Sequence, residues 1–311
     1  MWRFVSLARV AALETLSEPL SAVLFLSAFV AVHVLPAFHY RQFGEAGRLS
    51  RECGFSTLLV FGVVFAASAA LNAISREFDR GTAAAALAAG VPRAVFFVAK
   101  VSGSLAALAL FAMGVACATA LAIASSEIGA KLAAEGLASA RVWGGGVALG
   151  VLPAIAAFFF AAVANRFAKV RFCYCACVCL VVSQLFGFAA AIAVVGDGAP
   201  RSPVAVLSSI APAMAALFAG ACAFVALAGA LATRFKPAPA GALLATAVVL
   251  SFLRPIRAVL PDSHFFWRVD ALSNGGVFRW GAAMPMLAAG ATLVAFWLVA
   301  GAWSMHRREL A

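Results

Sequence analysis

Long apolar runs alternate with short polar breaks from Pro19 to Trp303. About 20 predominantly apolar residues suffice to cross a bilayer as a helix. The runs therefore predict helical spans at about 19–38, 54–74, 95–124, 143–164, 172–195, 204–232, 241–260 and 280–303. The run at 241–260 is the least regular, because "PDSHFFWRVDALSNGG" breaks it. The expected fold class is all-α: a polytopic transmembrane helix bundle of about 6–8 spans, one domain over residues 1–311. Glu14 and Glu18 make "MWRFVSLARVAALETLSEPL" too polar for a signal-peptide apolar region. Insertion is expected to use the first span as an uncleaved anchor.

The breaks carry the charge. "NRFAKVR" and "TRFKP" hold five basic and no acidic residues. With an even span count, this puts both turns and both termini on the cytoplasmic side. In "SSEIGAKLAAEGLASAR", Glu127, Lys131 and Glu135 recur every fourth residue and predict a small helix at the membrane edge. Lys100, just inside the third run, is expected to snorkel to the headgroups.

The stretch "ISREFDRGTAAAALAAGVPR", 74–93, concentrates charge between two spans. Ser75 suits a helix start, and Glu77 and Asp79 suit the positive end of a helix dipole. The alanine run has high helix propensity, and Gly90 followed by Pro92 is a stop signal. A short surface helix is expected within 75–92, too polar and too short to cross. Its alternative role is to anchor headgroups.

Composition narrows the class. The chain is 65% hydrophobic with mean hydropathy +1.04, against roughly 45–50% apolar in soluble domains. Its net charge of +11 is spread singly between apolar runs, so nucleic acid is not an expected partner; the lipid bilayer is. Of seven cysteines only Cys53 is placed in an external loop, which implies no structural disulfide.

"SREFDRGTAAAALAAGVPRAVFFVAKVSG" resembles a stretch of the ABC-2 type permeases, the membrane subunits of ABC transporters, at Ser75, Arg76, Glu77, Gly81, Thr82, Val91, Pro92, Arg93, Phe97, Lys100 and Gly103. "LARVAALETLSEPL" is similar to the interfacial helix that precedes the first span in that family, which implies an N-terminal interfacial helix over 1–18, and "GEAGRLSRECGFSTLLVFG", "LPDSHFFWRVDALSNGG" and the terminal "HRREL" are similar to other parts of the family. The likeness is dense over 1–105 and 254–311. It implies a permease that pairs as a homo- or heterodimer in the bacterial inner membrane, not an enzyme itself but an exporter subunit. It also implies that a separate ATPase docks on the 75–92 cytoplasmic coupling loop through Ser75, Arg76, Glu77, Arg80, Gly81, Thr82, Pro92 and Arg93. No G-x-x-x-x-G-K-[ST] occurs, so no cofactor is expected on this chain, and ATP and Mg belong to the partner ATPase.

Other polar positions fit weaker roles. His33 and Gln184 lie within apolar runs and are candidates for a substrate pathway, with helix–helix hydrogen bonding as the alternative. "CYCACVC" puts Cys173 and Cys177 on one helical face and Cys175 and Cys179 on another, a weak candidate for a soft metal ion and otherwise small apolar packing. Hydrolase and metalloprotease motifs are absent. The rival functions are a gradient-driven secondary transporter, disfavoured because no acidic residue is expected inside a span, and a non-transporting integral membrane scaffold.

Overall fold

The computed structural model describes residues 2–38, 46–79, 81–88, 90–134, 139–195, 202–251 and 278–307. Among the described residues all regular structure is helical: α1 (Trp2–Leu16), α2 (Pro19–Val34) with a 3₁₀ turn (Leu35–Phe38), α3 (Ala46–Asp79), α4 (Thr82–Ala88), α5 (Arg93–Ala134), α6 (Ser139–Ala168), α7 (Phe172–Val195), α8 (Pro203–Ala232), α9 (Pro237–Leu250) and α10 (Trp280–His306). The chain is a polytopic helical bundle with the build of an integral membrane protein.

Six helices are long and apolar enough to span: 47–79, 93–126, 151–168, 172–193, 203–232 and 280–306. α1 and α2 together make a seventh candidate, bent by 66° at their junction. Two of the eight expected runs fall short. The run at 19–38 is a 16-residue helix plus the 3₁₀ turn, and of the run at 241–260 the structure describes only the 14-residue α9 and Ser251. Residues 252–260, like most of 254–279 and of the terminal "HRREL", lie outside the described residues.

Other spans are longer than the apolar pattern indicates. α3 has 34 residues and α5 has 42, about 50 and 60 Å at 1.5 Å per residue against a hydrocarbon core of about 30 Å. α3 therefore takes in Cys53 at one end and Ser75 through Asp79 at the other. Cys53 is in a helix and not a loop, and Ser75 is inside α3 and not a helix cap. Glu77 belongs to a spanning helix, contrary to the expectation that spans hold no acid. The segment read as a separate edge helix continues α5 to Ala134, and Glu135 lies outside the described residues.

The middle of the bundle is α3, α5 and α8, whose apolar windows are 61%, 67% and 78% buried, against 17% for α6 and α10. Side-chain size explains the tight centre. Phe25, Phe65 and Phe111 fill one level with ring centroids 5.0–5.6 Å apart, while glycines admit close approach elsewhere. A Cβ on Gly103 would lie 2.5 Å from Ala11 Cβ, and one on Gly290 2.7 Å from Ala219 Cβ. Small residues let backbones close in where lipid supplies no hydrophobic drive between helices.

α8 and α10 run parallel. Thr233 Oγ1 donates to Ser304 Oγ at 2.8 Å, and Ala219 meets Gly290 an equal number of residues earlier in each helix. One end of the bundle gathers the polar connections. Arg93 Nη1 donates to the His306 carbonyl at 2.8 Å, Arg234 Nε donates to Ser304 Oγ at 2.9 Å, and the Arg3 guanidinium reaches Gly90. Arg171, which precedes α7, shares a cavity with the α1–α2 junction. The first and last described helices and the three basic connections thus meet at a single end, called here the charged end.

Candidate functional site

α3 breaks after Asp79 because Gly81 adopts φ +71° and redirects the chain, and a second left-handed glycine, Gly90 at φ +81°, ends α4. Glycine takes this conformation without the steric cost other residues meet. α4 hangs between the two as a short helix at the surface, held by Ala83, which is buried. Phe96 N–H then donates to the Pro92 carbonyl at 3.0 Å as α5 begins.

Beneath this connection lies an ion network. The Lys100 side chain is only 2% exposed, and its Nζ meets Glu77 Oε1 at 2.5 Å and Glu14 Oε2 at 3.1 Å. Lys100 does not snorkel; two carboxylates from α3 and α1 meet its charge inside the bundle. A buried ammonium requires such partners. Glu77 also accepts from the Thr82 hydroxyl, through its carboxylate and, at 3.3 Å, its main-chain carbonyl. Glu77 thereby fastens the first residue of α4 to the second spanning helix of the core.

A second pair is centred on Glu18, in the turn between α1 and α2. Its Oε1 meets Arg76 Nη1 at 2.9 Å, and its Oε2 accepts from Asn72 Nδ2 at 2.7 Å. Burial pushes the Glu18 carboxyl above its ordinary 4.5, outweighing the Asn72 hydrogen bond and the Arg76 charge, and the neighbouring Glu14 pushes the same way. Glu14, Glu18, Asn72, Arg76, Glu77 and Arg171 together line a polar cavity of about 190 Å³.

The structure therefore brings together Arg76, Glu77, Gly81 and Thr82, with Pro92 and Arg93 across the α4 connection. Ser75 is buried one residue earlier, its hydroxyl without a hydrogen-bond partner among the described residues. Arg80 lies outside the described residues. Sequence reasoning missed Glu14, Glu18, Asn72 and the pairing of Lys100. The available signal was the Glu14/Glu18 spacing beside Pro19, with a lysine set one turn inside an apolar helix.

His33 and Gln184 come together away from this end. Their Nε2 and Oε1 are 3.1 Å apart and both residues are 2% exposed. An amide oxygen accepts, so Nε2 carries the hydrogen, and Nδ1 is left without a partner among the described residues. This is a closed α2–α7 contact. On α7, Cys175 and Cys179 share a face with sulfurs 3.8 Å apart, while Cys177 packs inward with Sγ 3.7 Å from the Leu16 carbonyl. Among the described residues no three His, Cys, Asp or Glu converge as metal ligands.

Comparison with known proteins gave no matching family model, no matching curated protein and no matching solved structure.

Proposed function

We propose that this chain is the membrane-spanning permease subunit of an ABC transporter of the ABC-2 type, an exporter that works as a dimer and is energised by separate P-loop ATPase chains binding ATP and Mg. The charged end faces the cytoplasm of a bacterial cell, and α4 is the coupling helix on which the ATPase docks. One observation carries this reading: Glu77 ties an exposed, glycine-hinged helix to Lys100 in a core span. A surface helix that only anchored headgroups has no need of a charged tether into the bundle.

The same geometry supports a mechanism. Approach of two nucleotide-loaded ATPases displaces α4. The Glu77–Lys100–Glu14 network passes that displacement to α3, α5 and α1 together, because each carboxylate is on a different helix from the shared ammonium. The spans then reorient as rigid bodies. The concentration of basic connections at the charged end supports the cytoplasmic assignment.

The test is co-purification with a co-expressed P-loop ATPase encoded beside this chain. Glu77→Ala removes the tether, and Gly81→Val forces a β-branched residue into the left-handed region, at about 1–2 kcal/mol. No atom lies within 4 Å of a Cβ on Gly81, so that cost is confined to the backbone turn. Both variants are expected to insert normally and to lose ATPase association or coupled hydrolysis. Arg48→Ala, at the opposite end of α3, should leave association unchanged. Full association and transport by both variants would assign α4 to headgroup anchoring instead.

A further inference from the structure

The cavity at the charged end is walled by both signs of charge, and its internal pairs leave two groups over. Glu18 is occupied by Arg76 and Asn72, and Glu77 by Lys100 and Thr82. Glu14 commits Oε2 to Lys100 and remains 37% exposed at its side chain. Arg171 also lines the cavity and has no ion-pair partner among the described residues.

Helix ends add to the contrast. α7 begins immediately after Arg171, and α2 begins at Pro19, a lining residue, with no side chain capping its first turn. Helix N-termini present unpaired N–H groups and a positive dipole end, which favour an anion. The cavity lining thus includes a cation without an ion-pair partner among the described residues, Arg171, and a carboxylate with one uncommitted oxygen, Glu14.

Directly after the lining residue Pro19 the chain turns apolar. Leu20 and Val23, on the first turns of α2, are 44% and 56% exposed. In an integral membrane protein this surface faces acyl chains, so a polar head in the cavity continues directly into lipid. That continuity selects a bilayer lipid over a soluble molecule of the same polar chemistry.

We infer that the cavity lined by Glu14 and Arg171 binds the headgroup of a zwitterionic aminophospholipid, with its phosphate on Arg171, its primary ammonium on Glu14, and its acyl chains along Leu20 and Val23. Phosphatidylethanolamine has this chemistry. Phosphatidylglycerol lacks the cation. Phosphatidylcholine has no N–H to donate to a carboxylate. The site is independent of any ATPase.

The experiment is native mass spectrometry of the detergent-purified full chain, titrated separately with those three lipids, with thermal unfolding read in parallel. Phosphatidylethanolamine is expected to be retained at least tenfold more strongly than either of the others. Arg171→Gln alters an exposed side chain without disturbing the Lys100 network, and it should abolish that preference. Glu14→Gln should reduce binding of phosphatidylethanolamine without reducing binding of phosphatidylglycerol. Equal retention of the three lipids would overturn the site and leave only general lipid contact, as would a preference that survives Arg171→Gln. Free O-phosphoethanolamine is the control for source. If it stabilises the protein while phosphatidylethanolamine does not, the bilayer assignment is wrong.

Discussion

Lys100 Nζ lies 2.5 Å from Glu77 Oε1, with the lysine side chain 2% and the glutamate side chain 15% exposed. Breaking a buried pair from one side leaves an uncompensated charge and costs about 3–5 kcal/mol. Lys100→Met is therefore expected to lower the unfolding midpoint in detergent sharply, because Glu77 and Glu14 are then left facing each other. Glu77→Gln in the same chain should restore part of the loss. Strict additivity of the two substitutions in a double-mutant cycle would show that the contact carries no coupling.

Glu18 gives the protein a pH dependence of definite sign. Its carboxyl is raised above 4.5, chiefly by burial, so the folded state holds that proton more tightly than the unfolded chain does. The stabilisation from this group is complete below about pH 4.5 and is lost as pH rises through the raised folded-state value. Unfolding midpoints measured between about pH 4 and 8 should fall through that window and level off above it. Glu18→Gln, neutral throughout, should flatten this part of the profile. An unchanged profile in the variant would remove Glu18 as the cause.

The four cysteines of α7 divide by environment. Cys177 is fully buried against the α1–α2 junction, while Cys173, Cys175 and Cys179 are half-buried. Replacing the three half-buried residues together with serine should leave insertion and thermal stability nearly unchanged. Cys177→Leu should destabilise by about 1–3 kcal/mol through overpacking. Stoichiometric copper bound to the native chain and lost in the triple variant would instead make the Cys175–Cys179 pair a metal site.

Sidedness is open to labelling in a cysteine-free background. Arg3→Cys, Lys236→Cys and Arg307→Cys should react from one face of the membrane, and Arg48→Cys from the other. The contacts of Arg3 with Gly90, of Arg234 with Ser304 and of Arg93 with His306 place the first three at the charged end. Reaction of Arg3→Cys and Arg307→Cys from opposite faces would contradict that arrangement.

Hydropathy located six of the eight expected spans, and the basic connections, because each side of that contrast is set by local composition. Gly90 was legible for a similar reason: the turn that ends α4 needs a left-handed residue. Local composition misled where charge continued a helix. Arg76, Glu77 and Asp79 read as the first turn of a separate surface helix, yet α3 runs through them, since Arg76 and Glu77 find partners on other helices. Lys100 read as an interfacial cation for the same reason. Its partners are 23 and 86 residues away in sequence, and no periodicity reports such a pairing.

α8 is the most enclosed span, 78% buried, and its surface is mostly alanine, glycine and small polar groups. Side chains this short interlock little with neighbouring helices, so resistance to sliding along α8 comes from the few large ones, such as Met214, Phe218 and Phe224. The most central helix is therefore built as a bearing and not as a bolt: the spans around it can turn or slip by a residue step, about 1.5 Å, without a rank of side chains first having to withdraw.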